Sequence, residues 1–178
     1  MEYNNNLNRT LAKLQSFPAF MRGFMRDFAI GRFVKFVGTA GIHFEKMTCN
    51  EVAVTLPNRN KVQNHIGQIH AAATTLLAET ASGMVVGMNI PDDKLPLMKH
   101  LSVKFIKRSQ GQQRAIATLT DEQIKQIRET DKGEVNVAAK VTDETEEEVV
   151  ITEMIWAWVL KKKYKPTAKA SKASTMPP

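Results

Sequence analysis

Apolar and polar positions along the chain follow two periods, one typical of helices and one typical of strands. The helical period comes first: six large apolar residues between residues 17 and 28 share one helical face, namely Phe17, Phe20, Met21, Phe24, Met25 and Phe28. Ser16 is the expected N-cap of this helix, and Pro18 is tolerated in its first turn. The pattern predicts an amphipathic helix that packs on the domain, covers an apolar ligand tunnel or lies on a membrane surface.

The rest of the chain predicts one long apolar helix and a series of strands. Residues 43–56 alternate as a strand does, and residues 69–82 form an apolar helix that Gly83 is expected to end. A short capped helix is expected at Asp121–Glu129, and five more strands are predicted at residues 84–90, 101–108, 113–120, 134–142 and 149–160. A hydrophobic helix followed by adjacent strands indicates the α+β class, with an antiparallel sheet wrapped around that helix to bury it.

This order of elements divides the chain into three parts. Residues 1–42 are an N-terminal helical segment, residues 43–160 are the domain of sheet and helix, and residues 161–178 are a basic tail that is expected to be disordered. The tail carries six lysines and no acid, so the net charge of +7 leaves 7 − 6 = +1 for residues 1–160. A nearly neutral body argues against a nucleic-acid partner. The tail itself serves either solubility or contact with anionic lipid or RNA.

Composition is that of an ordinary globular protein, and 178 residues are enough for one domain with a real core. No apolar run is long enough to span a bilayer, so no stable membrane insertion is expected, and Arg9, Lys13 and Arg22 interrupt the apolar stretches that a signal peptide would need. The single cysteine, Cys49, excludes an internal disulfide and fits a cytoplasmic protein. The histidines show no spacing of the zinc type, so neither a metal nor another cofactor is expected.

The segment NHIGQIHAAATTLLAETASG, residues 64–83, places a carboxylate, Glu79, in the middle of the apolar helix. A buried carboxylate is costly unless it has partners or a chemical role. Six residues stand in the spacing N-x-x-G-x-x-H-x-x-x-x-x-x-x-A-E-x-A: Asn64, Gly67, His70, Ala78, Glu79 and Ala81. This spacing resembles the hotdog-fold acyl-CoA thioesterases, in particular the hydroxybenzoyl-CoA and phenylacetate-pathway branches. It looks closest to a poorly characterised bacterial branch, because the family's paired glycines are Ala71 and Ala72 here.

The resemblance implies a hotdog fold and a thioesterase site. It makes Glu79 the general base or nucleophile and the amide of Ala71 the oxyanion donor, with Asn64 orienting the water or the carbonyl and Gly67 binding substrate. The residues agree with these roles, because a carboxylate in an apolar helix has a raised pKa and the first amides of a helix are unpaired. Within this motif His70 is either a histidine that starts the helix or a general base.

The resemblance also implies that two subunits share each site. Ala71 and Glu79 are separated by about 12 Å along one helix, so one subunit cannot easily bring both to a single carbonyl. A dimer, or a dimer of dimers, would place the glutamate opposite the other subunit's helix N-terminus. Three cationic residues on or just beyond the strand at 101–108 either meet the phosphates of coenzyme A or guard a strand edge: Lys104, Lys107 and Arg108.

Together these features favour a cytoplasmic acyl-CoA thioesterase for a medium or long aliphatic acyl group. Two alternatives remain on the same fold, a hydroxyacyl dehydratase and a non-catalytic acyl-CoA binding module. Glu79 could also be a structural carboxylate that is paired near a helix end.

Overall fold

An antiparallel sheet of six strands surrounds one long helix in the computed structural model, which describes residues 3–161. The elements follow in chain order as α1 (Asn6–Leu14), α2 (Ala19–Phe33), α3 (Lys35–Ala40), β1 (His43–Met47), β2 (Glu51–Leu56), a 3₁₀ turn (Asn60–Val62), α4 (Ala71–Gly87), β3 (Lys94–Phe105), β4 (Gln113–Thr118), α5 (Asp121–Glu129), β5 (Gly133–Asp143) and β6 (Glu148–Leu160). The strand order is β1-β2-β4-β5-β6-β3, and every neighbouring pair is antiparallel. The predicted α+β class and the predicted arrangement of sheet around helix are confirmed.

Helix α4 is the centre of the core because most of its surface is apolar or small. It packs against β2, β3, β4, β5 and β6. Its buried residues are Ala73, Thr74, Leu77, Ala78, Thr80, Ala81, Ser82, Val85 and Val86. Burial of a side chain such as Leu77 contributes about 1.5–3 kcal/mol. A helix held on so many sides gives Glu79, on the same element, a fixed position.

The two ends of α4 differ from the prediction. The helix begins at Ala71, with His70 as its N-cap, and it continues to Gly87, a turn beyond the expected end at Gly83. Residues 84–90, predicted as a strand, complete this helix and the loop after it. Gly83 is required for packing: a Cβ there would lie 2.7 Å from Cζ2 of Trp156. The indole of Trp156 is fixed over the glycine by donating to Ser82 Oγ at 3.0 Å.

Most of the other strands and α5 lie close to their predicted positions. Residues 43–56 are not one strand, however, but the hairpin β1–β2, with a turn in which the amide and hydroxyl of Thr48 donate to the carbonyl of Glu51 at 2.9 and 3.0 Å. Strand β3 begins at Lys94 rather than at residue 101. Helix α5 has the predicted bounds, and Thr120 caps it by accepting from the amide of Gln123 at 3.2 Å.

Three helices precede the sheet. Helix α1 is tied to the end of α4: Asn5 Nδ2 donates to the carbonyls of Gly87 and Ile90, both at 2.9 Å, and Asn8 Nδ2 donates to that of Met88 at 2.9 Å. The N-terminal helices thereby cover the second half of α4.

The predicted start of α2 is wrong in one detail, because Ser16 is not the N-cap. Helix α2 begins at Ala19 after Pro18, and no side chain caps it. The Ser16 hydroxyl donates instead to the carbonyl of Lys13 at 2.8 Å, which closes the end of α1.

The lysine-rich tail lies outside the described residues from residue 162 onward, and its predicted disorder stays a prediction. Lys161 is held at the end of β6, where its amide donates to the carbonyl of Asp93 at 2.9 Å. Within residues 3–161, the helices are too short or too polar to cross a bilayer.

Candidate active site

A cavity of about 850 Å³ lies between the N-terminal helices, α4 and the ends of β3 and β6. Its walls are mostly apolar and include Leu7, Leu11, Leu14, Ile30, Met84 and Trp156. A few polar side chains interrupt them, among them Glu79, Asp92 and Lys94. A concave apolar site of this size with few polar groups is typical of a site for a small organic ligand.

Glu79 lines this cavity from the middle of α4 and is only partly exposed. Burial raises the pKa of its carboxyl group above the ordinary value. Within residues 3–161, no donor lies within hydrogen-bond distance of the carboxylate. The buried Asp143 shows the contrast, since it accepts bonds from the amides of Gln110 and Thr145 at 2.8 and 2.9 Å. The described part of the chain therefore gives Glu79 no structural partner.

The N-terminus of α4 offers one unpaired amide. His70 Nδ1 accepts from the amide of Ala72 at 3.1 Å, and the His70 carbonyl accepts from those of Ala73 and Thr74 at 2.8 and 3.0 Å. The amide of Ala71 has no acceptor among the described residues, and Ala71 is exposed. Its N–H is thus available at the positive end of the helix dipole. His70 starts the helix, and only its Nε2 is left to face a ligand.

Asn64 and Gly67 shape the loop before this helix. Asn64 Oδ1 accepts from the amides of Ile66 and Gln68 at 3.0 and 3.1 Å, which leaves Nδ2 as the group that can hold a water or a carbonyl. Gly67 has φ +72°, a left-handed conformation that favours glycine. Its carbonyl accepts from Asn58 Nδ2 at 3.0 Å. The motif therefore builds a tight turn beside the helix N-terminus.

One chain does not bring the predicted site residues together. Glu79 is the predicted residue that lines the cavity, and the others lie outside its lining: Asn64, Gly67, His70, Ala71, Lys104, Lys107 and Arg108. Lys104 and Arg108 are exposed, at the end of β3 and just beyond it. Lys107 forms an ion pair with Glu147.

Strand β3 is an outer strand of the sheet. It pairs with β6 on one side, and its other side is unpaired within the described part of the chain. Leu97, Leu101 and Phe105 are exposed along its length. A long apolar edge strand is a ready template for pairing with another chain.

The sequence did not indicate most of the cavity wall. Leu7, Leu11 and Leu14 fall at i, i+4 and i+7, a spacing that could have revealed α1 and its inner face. Trp156 was predicted on a strand, but no pattern in a single sequence indicates that it lies against Gly83 at the cavity.

Comparison with solved structures finds hotdog-fold proteins. The chain is similar to a Pseudomonas aeruginosa protein of unknown function, PA5026, described as a probable thioesterase: 26% identity, 73% of this chain and 90% of that chain covered, TM-score 0.66. It also resembles thioesterase HI1161 from Haemophilus influenzae, with 12% identity, 89% and 94% of the two chains covered and a TM-score of 0.58. A mutant of the Staphylococcus aureus thioesterase SAV0944 matches at 18% identity over 70% of this chain and 98% of that one, with a TM-score of 0.57.

These neighbours confirm the hotdog fold that the motif implied. A comparison with curated proteins finds no match. The chain belongs to the family described as Domain of unknown function (DUF4442), whose model matches residues 25–159.

Proposed function

We propose that this protein is an acyl-CoA thioesterase in which Glu79 acts as general base or nucleophile on a medium or long aliphatic thioester. The observation that carries the proposal is the position of Glu79, a carboxylate without a partner among residues 3–161, in the wall of an apolar cavity of ligand size. Thioester hydrolysis is also the activity named for solved structures of the same fold.

The chemistry follows from the electrostatics of the site. Because burial raises the pKa of Glu79, its carboxylate is a stronger base than an ordinary glutamate. As general base it would take a proton from water while the water oxygen attacks the thioester carbonyl. The C–S bond then breaks, and Glu79 gives this proton to the departing sulfur, which leaves as the thiol. One amide that stabilises the oxyanion is typically worth about 3 kcal/mol of barrier.

The amide of Ala71 is best supplied by a second copy of the chain. It is separated from Glu79 by about 12 Å on the same helix, too far for both to reach one carbonyl. The open, apolar edge of β3 supports pairing of two copies. In such a dimer, Asn64 and Gly67 accompany Ala71 to the thioester. Lys104 and Arg108 carry the charge needed for the coenzyme A phosphates.

The acyl group occupies the apolar cavity in this proposal. Each buried methylene contributes about 0.8 kcal/mol, so KM should fall by about fourfold per methylene until the cavity is full.

A panel of acyl-CoAs of increasing chain length, assayed by thiol release, tests both the activity and the predicted fall of KM with chain length. Leu11→Trp, which narrows the cavity from α1, should shorten the preferred chain, whereas Lys13→Ala, an exposed change on the same helix, should not. Absence of hydrolysis across the panel would refute the proposed activity, and a KM independent of chain length would refute the assignment of the cavity.

A further inference from the structure

Helix α2 presents its apolar side to solvent. Phe20, Phe24 and Phe28 follow one another at four-residue intervals and are 86%, 69% and 54% exposed. The rings of Phe24 and Phe28 stack with centroids 6.3 Å apart. Phe33 at the end of α2 and Phe36 in α3 are 90% and 60% exposed. These five residues form what is called below the phenylalanine face. So many exposed aromatic rings on two consecutive helices mark an interaction surface.

Polar contacts between α2 and β1 fix this orientation. Asp27 contacts two residues of β1. Its Oδ1 accepts from the amide of Phe44 at 3.1 Å, and its Oδ2 lies 3.0 Å from Nδ1 of His43. Arg26 donates to the carbonyl of Phe44. Ile30, also in α2, is buried in the core. Turning α2 to hide its phenylalanines would break these contacts, so their exposure follows from the fold.

The surroundings of the phenylalanine face are cationic. Arg32 and Lys35, which adjoin Phe33 and Phe36 in sequence, are both exposed. Asp27 is the single acidic residue between residues 13 and 42, and its carboxylate is engaged with β1. Aromatic side chains with a cationic rim are the combination that binds at the interface of an anionic bilayer. Outside the described residues, the sequence from residue 162 to 178 holds five further lysines and no acid.

A second copy of the chain is a poorer match for this face. A symmetric contact would bring Arg32 and Lys35 of both copies together without acidic partners. The acidic turn at residues 144–148 could pair with these cations, but it has no apolar side chain to cover the phenyl rings.

The face also adjoins the cavity. Phe33 is 90% exposed and still part of the cavity wall, beside Ala29, Ile30 and Val34. Phe33 is therefore an exposed aromatic ring at the rim of the cavity.

We propose that the phenylalanine face docks on an anionic phospholipid bilayer. Helix α2 lies in the plane of the interface, with its phenylalanines among the acyl chains and its cations at the headgroups. The docked protein would have the mouth of its cavity at the lipid surface, where aliphatic substrates concentrate. That last step rests on the proposed function, whereas the docking does not.

Co-sedimentation of the full chain with vesicles tests the docking without an activity assay. The chain should bind vesicles of phosphatidylcholine mixed with phosphatidylglycerol more strongly than vesicles of phosphatidylcholine alone. Phe20→Ser/Phe24→Ser should weaken binding roughly ten- to a hundredfold. The matched control is Ile106→Ser/Ile151→Ser. Both residues are apolar and exposed, Ile106 just after β3 and Ile151 on β6, and their replacement should leave vesicle binding unchanged.

The charge is tested by Arg32→Gln and Lys35→Gln, each of which should weaken binding to anionic vesicles about fivefold. Because the replaced phenylalanines are exposed, the melting temperature should not change.

Four results would each overturn the proposal: no binding by the unmodified chain, equal binding to neutral vesicles, binding that survives loss of the phenylalanines, or a smaller assembly of the Phe→Ser variant in lipid-free sedimentation. Binding that survives loss of the phenylalanines would assign the binding to the tail. A smaller assembly of the Phe→Ser variant would show that a second copy of the chain covers the phenylalanine face.

Discussion

Replacing Glu79 by glutamine tests chemistry and stability with one change. Glutamine keeps the size and polarity of the side chain and removes the base. Loss of a general base costs about 10²–10⁴ in kcat. At 1.36 kcal/mol per tenfold change, the barrier should rise by about 2.7–5.4 kcal/mol. KM should change little, because the apolar walls of the cavity, rather than the carboxylate, hold the acyl chain.

The same substitution should stabilise the protein at neutral pH. Burial raises the pKa of Glu79 in the folded state, so the folded chain binds this proton more tightly than the unfolded chain does. The stability from this group is present below the unfolded pKa and is lost as pH rises through the folded pKa. At neutral pH the ionised carboxylate therefore carries a desolvation cost that no group within residues 3–161 offsets. Glutamine removes that cost, and the gain should shrink as the pH is lowered through the raised pKa.

Asp92 provides a contrast within the same cavity. The amide of Asn6 donates to its carboxylate at 2.7 Å and Arg9 pairs with it, and these contacts hold the pKa of Asp92 below its ordinary value. Its stability contribution is present above the unfolded pKa and is lost as pH falls through the folded pKa. Asp92→Asn should thus lower the melting temperature at neutral pH, the opposite of Glu79→Gln, and should cost far less in kcat.

Calorimetry over a pH series measures the melting temperatures of both variants, and thiol-release kinetics measures their kcat. A kcat near wild type in Glu79→Gln would refute the catalytic role of this residue. A lower melting temperature of Glu79→Gln at neutral pH would show that the carboxylate has a partner, which contradicts the reasoning from burial.

Three further predictions concern the site and the core. The value of kcat/KM should fall with decreasing pH below a pKa higher than that of an ordinary glutamate, and a profile flat through that range would argue against Glu79 as the base. Sedimentation at the assay concentration should show a dimer or larger, and a fully active monomer would exclude a shared site. Gly83→Ala should destabilise the fold by about 1–3 kcal/mol in denaturant unfolding because its Cβ meets Trp156, whereas Gly23→Ala, with only an Arg26 atom at 3.9 Å, should not.

Local sequence patterns predicted the parts of the fold that depend on neighbours in sequence. The apolar run around Leu77 predicted a central helix, and alternation predicted the later strands, because each pattern reflects burial of that element itself. Gly83 was taken for a helix end because glycine commonly follows one. The reason for a glycine at this position is instead the packing of Trp156, which lies on β6, far away in sequence. No local pattern contains that contact.

Helix α2 shows a second limit of sequence patterns. Its apolar stripe was recognised, but a stripe does not say what covers it. Asp27 and Arg26 set the orientation of α2, because they bind β1 and so leave the phenylalanines facing outward. In the candidate site, the motif identified the residues around Asn64 and Glu79, but it could not place them in one site, because Ala71 and Glu79 are about 12 Å apart along α4.

That separation makes a complementation experiment possible. Ala71 is the first residue of α4, where proline is tolerated, and His70 has φ −63° and ψ 143°, a conformation compatible with a following proline. The Ala71 amide has no acceptor within residues 3–161, so Ala71→Pro should remove the oxyanion donor, costing about 10²–10³ in kcat, and leave the fold intact. Dimers that combine one Ala71→Pro chain with one Glu79→Gln chain contain one site with both groups and one site with neither. Random exchange of the two inactive variants should therefore restore roughly a quarter of the wild-type activity. If mixing restores nothing although the chains exchange, the two groups do not act across subunits, and the shared site is wrong.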